Sequence, residues 1–288
     1  MSSSETFVAF DVETTGLFPG VDRIVELGAV QFQGDIVVDT WTCLVDPGLP
    51  IPEGATRVHG ITDQDVRGKA LLDEALPGFL SFLSRGTPVA HNAEFDVGFL
   101  YTGMAAAGLP GPEAPVLDTR GLARRAFPGR FSYSLANLLK DHGLEAESAH
   151  RALADAYSCR RLFLLCTGIL GRDGPVPVHE LACMSGAPLD FREKAPQCAR
   201  TAALLDRALR RGDSVRIAYR GAEGEITHRT IRPLSFTIVG GTVGITAFCM
   251  LRNEKRTFRL PSITDVREDD GAGGPPPHAR ACGEPSPR

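Results

Sequence analysis

Asp11, Glu13, Asp96, Asp155 and His150 are the residues whose types and spacing could do chemistry in this chain. They sit in three short phrases: Phe10-Asp11-Val12-Glu13-Thr14-Thr15-Gly16, His91-Asn92-Ala93-Glu94-Phe95-Asp96 and His150-Arg151-Ala152-Leu153-Ala154-Asp155. Four carboxylates brought to one spot would repel one another unless a divalent cation lay among them. An imidazole that titrates near neutrality adds a group able to take a proton from water. Together they are the equipment for two-metal hydrolysis of a phosphodiester, provided the fold gathers them.

Each phrase has a local logic. Asp11 and Glu13 are two apart at a strand end, so both project from one face. Alone, an Asp-x-Glu pair serves a solvated strand end equally well. Thr14, Thr15 and Gly16 follow where the chain turns, offering hydroxyls and close backbone approach to a phosphate or sugar. Asp96 falls in the first turn of a helix with Asn92 as its expected N-cap, a place the helix dipole favours for an acid regardless of function. Phe95 reads as a core contact. His150 and Asp155 are five apart, which places His150 in a loop and Asp155 on the helix that follows.

The surrounding pattern supplies elements to position them. Residues 6–11, 24–32 and 36–45 read as three antiparallel strands, the last two joined by a turn at Gln33-Gly34-Asp35. Residues 47–60 read as loop, and Thr62 with Asp65 as a helix start. Leu72, Ala75, Leu76, Phe79, Leu80 and Leu83 follow a helical period. Strand 88–91, helix 93–107, strand 116–119 and helices 134–141 and 153–170 complete an α/β layered domain with a mixed sheet over residues 1–170. Residues 171–199 read as a Pro- and Gly-containing linker. A helix over 201–211 and short strands at 215–219, 227–231, 236–239, 243–248 and 257–260 form a small, mostly β domain over 200–268. Residues 269–288 read as a disordered tail.

Composition agrees with two domains in 288 residues. No apolar run is long enough to span a bilayer, and Met1-Ser2-Ser3-Ser4-Glu5 lacks the pattern of a signal peptide, so a cytoplasmic location is expected. Seven widely spaced cysteines without a Cys-x-x-Cys pair read as reduced thiols rather than disulfides or a zinc site. Charge is asymmetric: residues 1–199 hold 16 basic and 25 acidic side chains, residues 200–268 hold 13 and 7. An acidic body suits a metal site; a basic module suits a polyanionic partner or is merely a solvated surface.

Asp11-x-Glu13-Thr14-Thr15-Gly16, Asn92-x-x-Phe95-Asp96 and His150-x-x-x-x-Asp155 resemble the three motifs of DEDDh-type (DnaQ-like) exonucleases, similar to the proofreading epsilon subunit of bacterial replicative DNA polymerase. Arg23-Ile24-Val25-Glu26-Leu27-Gly28-Ala29-Val30 and Val58-His59-Gly60-Ile61-Thr62 extend the likeness, which covers roughly residues 5–170. The resemblance implies an RNase H-like fold and 3′–5′ exonuclease chemistry at single-stranded nucleic-acid 3′ ends, DNA favoured, with a DNA polymerase or repair partner. It implies two ions, Mg2+ or Mn2+: one held by Asp11, Glu13 and Asp155, the second chiefly by Asp11 with Asp96 in support. His150 becomes the general base. Leu17 becomes a wedge against the terminal base, and Thr14, Thr15, Gly16 and Asn92 become substrate contacts. His59 and His91 read as structural.

Val215-Arg216-Ile217-Ala218-Tyr219, Arg229-Thr230-Ile231-Arg232-Pro233-Leu234 and Arg256-Thr257-Phe258-Arg259-Leu260 resemble a WYL domain, a small Sm-like β-barrel. That resemblance implies nucleic-acid or ligand contacts through Arg229, Arg232, Arg252, Arg256 and Arg259. The name-giving Trp-Tyr-Leu is replaced by Val243-Gly244-Ile245. An exoribonuclease trimming short RNA and a non-catalytic nucleic-acid-binding regulator are the alternatives; the intact acids and histidine argue against the second.

Overall fold

The computed structural model describes residues 5–144, 150–172, 174–186, 189–191, 197–221, 223–239 and 242–268; the expected disordered tail lies outside them. Strands β1 (Phe7–Thr14), β2 (Ile24–Gln33) and β3 (Ile36–Leu44) form the expected antiparallel meander. The 47–60 stretch is not all loop, because α1 (Glu53–His59) winds within it, followed by α2 (Asp63–Val66). At the start of α2 the Thr62 N–H donates to the Asp65 carboxylate at 2.8 Å, the expected cap. Helix α3 (Leu72–Leu83) leads to β4 (Thr87–Ala90), α4 (Glu94–Ala107) and β5 (Leu117–Asp118). β4 pairs parallel with β1 and β5 parallel with β4, giving the order β3-β2-β1-β4-β5.

Alternation along β1 divides two cores. Val8, Phe10 and Val12 pack with side chains of α3 and α4 on one face of the sheet. Phe7 and Ala9 face the other, against α5 (Thr119–Ala126), α6 (Leu135–Asp141) and α7 (Ala152–Leu170). On α7, Cys159, Leu162, Phe163 and Cys166 are buried in that second core, and Asp155 lies one turn before Cys159. The apolar row Phe7, Ala9 continues as Asp11, Glu13, just as the apolar face of α7 gives way to Asp155. The acids therefore meet at the rim of a core, at the carboxyl ends of parallel strands where open α/β sheets bind ligands.

The stretch expected as a linker is folded in its described part. Helix α8 (Val178–Ser185) buries Leu181 in the α7-side core, the Val116 N–H donates to the Leu189 carbonyl, and Phe191 packs against Phe10 in the opposite core. Apolar residues spaced too irregularly to signal an element still find burial against an existing one.

Helix α9 (Gln197–Arg211) precedes β6 (Val215–Arg220), β7 (Ile226–Val239), β8 (Thr242–Cys249), β9 (Glu254–Arg259) and β10 (Ile263–Glu268). These form an all-antiparallel sheet in the order β10-β6-β7-β8-β9. The segments read as 227–231 and 236–239 are one strand, β7, bent at a bulge between Pro233 and Ser235; proline withholds an N–H there and hides the continuity. Ala202, Leu205 and Ala208 of α9 pack on the sheet with Val215, Ile217, Ile231, Ile245 and Phe258. Among the described residues no helix is long and apolar enough to cross a membrane.

One glycine sets the height of α7 over the sheet. Gly28 pairs with Asp11 across β2 and β1, and a Cβ there would collide with backbone atoms of Ala152 and Leu153 at the start of α7. Backbone atoms cannot step aside as a side chain can. Gly28→Ala is expected to destabilise the protein by about 1–3 kcal/mol in urea unfolding, because α7 must lift from the sheet to admit the Cβ. An unchanged urea midpoint would contradict this packing.

Candidate active site

Oxygens of Asp11, Glu13 and Asp155 all lie within 4.8 Å of one another, and each residue is partly open to solvent. Asp96, in the first turn of α4, is buried; its Oδ1 accepts the Val12 N–H at 3.1 Å, which holds it against β1 between the two strand acids. The four acids of the three sequence phrases are thus brought together. Burial pushes the Asp11 carboxyl well above its ordinary range, and Asp96, Glu13 and Asp155 push it further. Glu13 is raised to about 8, by burial first and then by Asp155 and Glu26, with Arg151 opposing. Burial also raises Asp96 and Asp155, against the Val12 N–H in the first case and His150 in the second. Carboxylates this reluctant to ionise together form a site that a divalent cation would relieve, and an all-oxygen donor set fits Mg2+ or Mn2+.

His150 lies in the expected loop position, exposed, with a positive φ of 63°. Its backbone N–H donates to Asp155 Oδ2 at 3.1 Å, which pins the His150 backbone beside the acids. Histidine is among the residues tolerated in the left-handed region.

The residues that hold α7 in place are not among those whose types and spacing mark them for chemistry. Glu26 pairs with Glu13 across β2 and β1 and is buried. Its carboxylate accepts the Ala152 N–H at 2.9 Å and two bonds from the Arg151 guanidinium, Nε at 3.0 Å and Nη2 at 2.6 Å. A buried anion at a helix N-terminus, bonded by a fork, fixes that end of α7 and with it Asp155. Asp118, at the end of β5, accepts N–H bonds from Asn92 at 2.9 Å and Arg120 at 2.8 Å. A charged residue inside a strand otherwise apolar was the available signal for Glu26.

The expected substrate contacts divide. Thr14 donates to the Gly16 carbonyl at 2.5 Å, and the Thr15 hydroxyl accepts the Arg23 N–H at 2.9 Å. Both hydroxyls close the turn itself rather than stand open to a phosphate. A Cβ at Gly16 would lie 2.5 Å from the Asp22 carboxylate, which accepts the Phe18 N–H at 2.8 Å; the glycine is needed by the turn. Leu17 is 70% exposed at its tip. Asn92 does not cap α4, whose N-cap is Ala93; it has a positive φ of 61° and its side-chain oxygen accepts from Arg120 at 2.6 Å. His91 is held between Thr119 Oγ1 at 2.9 Å and the Tyr133 carbonyl at 3.0 Å, and burial pushes its pKa down to about 4. His59 is buried, with Nδ1 accepting the Ile61 N–H at 3.0 Å.

The five arginines of the second domain do not share a face. Val243, Ile245, Ala247 and Cys249 of β8 point into the core, so Gly244, Thr246 and Phe248 line the outer face. Arg232 lies opposite Phe248, and Phe248 opposite Lys255, a cation–aromatic–cation row across β7, β8 and β9. Arg259 lies opposite Gly244 on that face. Arg229 and Arg256 alternate to the other side: Arg229 Nε donates to Thr227 at 3.1 Å and Arg256 pairs with Glu254 at 3.8 Å. Arg252 sits exposed in the β8–β9 turn. Phe248 and Lys255 were missed because register, not residue type, places them.

A mixed sheet with carboxylates gathered at the end of its first strand, covered by a helix that brings another acid, defines a metal-type nuclease fold. A family model described as Exonuclease matches residues 8–163, more than half of the chain, and the chain belongs to that family. A second, for the WYL domain, matches residues 200–268. The DNA polymerase III PolC-type of Clostridium perfringens is 39% identical over 155 residues, 54% of this chain and 11% of that protein. Its counterpart in Thermotoga maritima is 38% identical over 176 residues, 61% of this chain and 13% of that one. The chain thus spans only about a tenth of the length of these relatives. E. coli Exonuclease I in complex with a dA16 oligonucleotide is similar in fold, with 17% identity, a TM-score of 0.54, and 85% of this chain and 55% of that one covered.

The raised acids give a pH signature. A carboxyl that binds its proton more tightly folded than unfolded contributes stability below its unfolded pKa and loses it as pH rises through its folded one. For Glu13 that window runs from the ordinary 4.5 to about 8. In the presence of a chelator the melting temperature is expected to fall across this window, and saturating Mg2+ to raise it more at about pH 8 than at about pH 5. Scanning fluorimetry reads both; an Mg2+ effect independent of pH would sink the coupling.

Proposed function

We propose that this protein is a divalent-metal-dependent 3′–5′ exonuclease that releases nucleoside monophosphates from nucleic-acid 3′ ends. The observation that carries the reading is the convergence of Asp11, Glu13 and Asp155 within 4.8 Å, with Asp96 bonded beside them and His150 pinned to Asp155. Asp11, Glu13 and Asp155 would hold one ion, and Asp11 with Asp96 a second. Such ions supply charge stabilisation for the attacking and leaving oxygens of an in-line displacement. His150 takes the proton of the attacking water on a ring nitrogen; the water oxygen bonds to phosphorus, and the 3′ oxygen of the preceding nucleotide departs with the bonding pair and is protonated by solvent. Leu17 rests against the terminal base. The likeness to proteins named DNA polymerase III PolC-type supports DNA as the substrate.

His150→Ala is expected to lower kcat by about 10²–10⁴-fold, the usual worth of a general base. Asp11→Ala should abolish hydrolysis of labelled single-stranded DNA in Mg2+. Full activity in Asp11→Ala, or no hydrolysis of single- or double-stranded DNA or RNA by the wild type, would overturn the proposal.

The second domain supplies a binding face for the same strand. Its outer sheet face has Arg232, Phe248 and Lys255 in one row, cations for phosphates beside a ring on which a base can stack. Gly244 brings no side chain to that face, and Phe248 puts an aromatic ring two repeats of the pleat further along. Measured by anisotropy on inactive Asp11→Ala protein, Phe248→Ala should weaken single-strand binding by about 1–3 kcal/mol. Lys255→Ala should reduce the salt slope by about one. Unchanged affinity and slope would leave this face without a nucleic-acid role.

A further inference from the structure

The turn that follows the catalytic strand is gripped by the other domain. Phe18 and Val21 pack against the core of the second domain. Gly20, with a φ of +88°, lies so close that a Cβ would stand 2.6 Å from Ala202 Cβ and 3.3 Å from Phe236. At the end of the turn Arg23 Nη2 reaches Asp206 Oδ1 at 3.4 Å, and Arg210 Nε holds Asp206 Oδ2 at 2.9 Å. Asp206 is 1% exposed, so its carboxylate is buried between the domains, while Arg23 and Arg210 keep part of their surface in solvent. Helix α9, which carries Ala202, Asp206 and Arg210, also lies along α4, whose first turn carries Asp96.

Within this gripped turn, Leu17 alone projects as a large apolar side chain into solvent, four residues beyond Glu13. The turn is stiff: its ends are tied by the Thr15 N–H to the Arg23 carbonyl at 2.8 Å, and its interior by the Asp22 carboxylate to the Phe18 N–H. A stiff turn anchored on one side to β1 and on the other to α9 has little freedom of its own. We infer that the second domain is a positioning part of the 3′-end site: through Phe236, Ala202 and Asp206 it sets where Leu17 meets the terminal base. Arg23 and Asp206 are then positioning residues, acting through Leu17 on how the strand end seats rather than on the hydrolytic step. The inference rests on the exonuclease reading, and it assigns the appended domain a direct hand in end selection.

The test is a double-mutant cycle between domains in the full chain, read on two substrates. One is a single-stranded DNA oligonucleotide; the other is bis(p-nitrophenyl) phosphate, a phosphodiester with no nucleobase for Leu17 to meet. Asp206→Asn and, separately, Phe236→Ala should raise KM for the oligonucleotide by roughly tenfold, with kcat/KM for the ester within about twofold of wild type. Leu17→Ala should raise the oligonucleotide KM as well, and Leu17→Ala with Asp206→Asn should raise it little further, a departure from additivity of at least about threefold. Strict additivity overturns the inference. So does equal loss on both substrates, which would mean general damage to the fold, or an unchanged KM in both second-domain variants. Inactivity of the wild type on both substrates would instead strike the exonuclease reading.

Discussion

Mutual repulsion among partly buried carboxylates is the constraint on which the rest of this structure depends. Asp11, Glu13, Asp96 and Asp155 are each pushed toward the protonated form by burial and then by neighbouring acids. Left to itself, such a cluster would spread or open to water. It stays together because each acid is attached to an element whose position is fixed by something else. Two are on a central strand flanked on both sides by paired strands, one is bonded to that strand's backbone, and one is on a helix clamped at its end. Strain of this kind persists at a site only where the surroundings overdetermine it.

The clamp on α7 shows how that is done. Glu26 is itself an acid and adds to the repulsion on Glu13. Its charge is met by Arg151 and by the α7 N-terminus, so its anion is compensated where the others are not. Gly28 then lets the helix come down to the sheet. A shorter clamp without charge would lack the pull of the fork; a Cβ at 28 would hold the helix away. Both residues lie on one strand, two apart, on the face that carries the site.

Much of this was legible in the sequence, for physical reasons that can be named. The acids and His150 were visible because their chemistry is rare in those local settings, and the meander and long helices because apolar periodicity over eight or more residues is a strong signal. Glu26, Arg151 and Asp118 were not, since a structural ion pair and a catalytic acid look alike until the partner is seen. In the sequence Thr14, Thr15 and Gly16 read as open to substrate, because a turn's internal bonds depend on residues further along, here Asp22 and Arg23. Helix α8 and Phe191 were hidden in a Pro- and Gly-containing stretch whose few apolar residues find burial only against a core already built. On the second sheet, residue type suggested five arginines, whereas strand register divided them and brought in Phe248 and Lys255.

Helix α9 is where the two halves become one object. It is buried against its own sheet through Ala202, Leu205 and Ala208, and against the first domain through α4 and the 15–23 turn. A helix covered on two sides would ordinarily be apolar on both, yet Asp206 sits there almost fully buried. Removing a carboxylate from water costs several kcal/mol, and an ion pair returns that only with good geometry and full partnering. Arg23 and Arg210 meet its two oxygens, one from each domain. An apolar residue in that position would pack in many registers, while a carboxylate answered by a guanidinium from the other domain accepts one. The pair therefore contributes orientation more than stability. Orientation is what a turn carrying the exposed Leu17 beside a metal-type site requires.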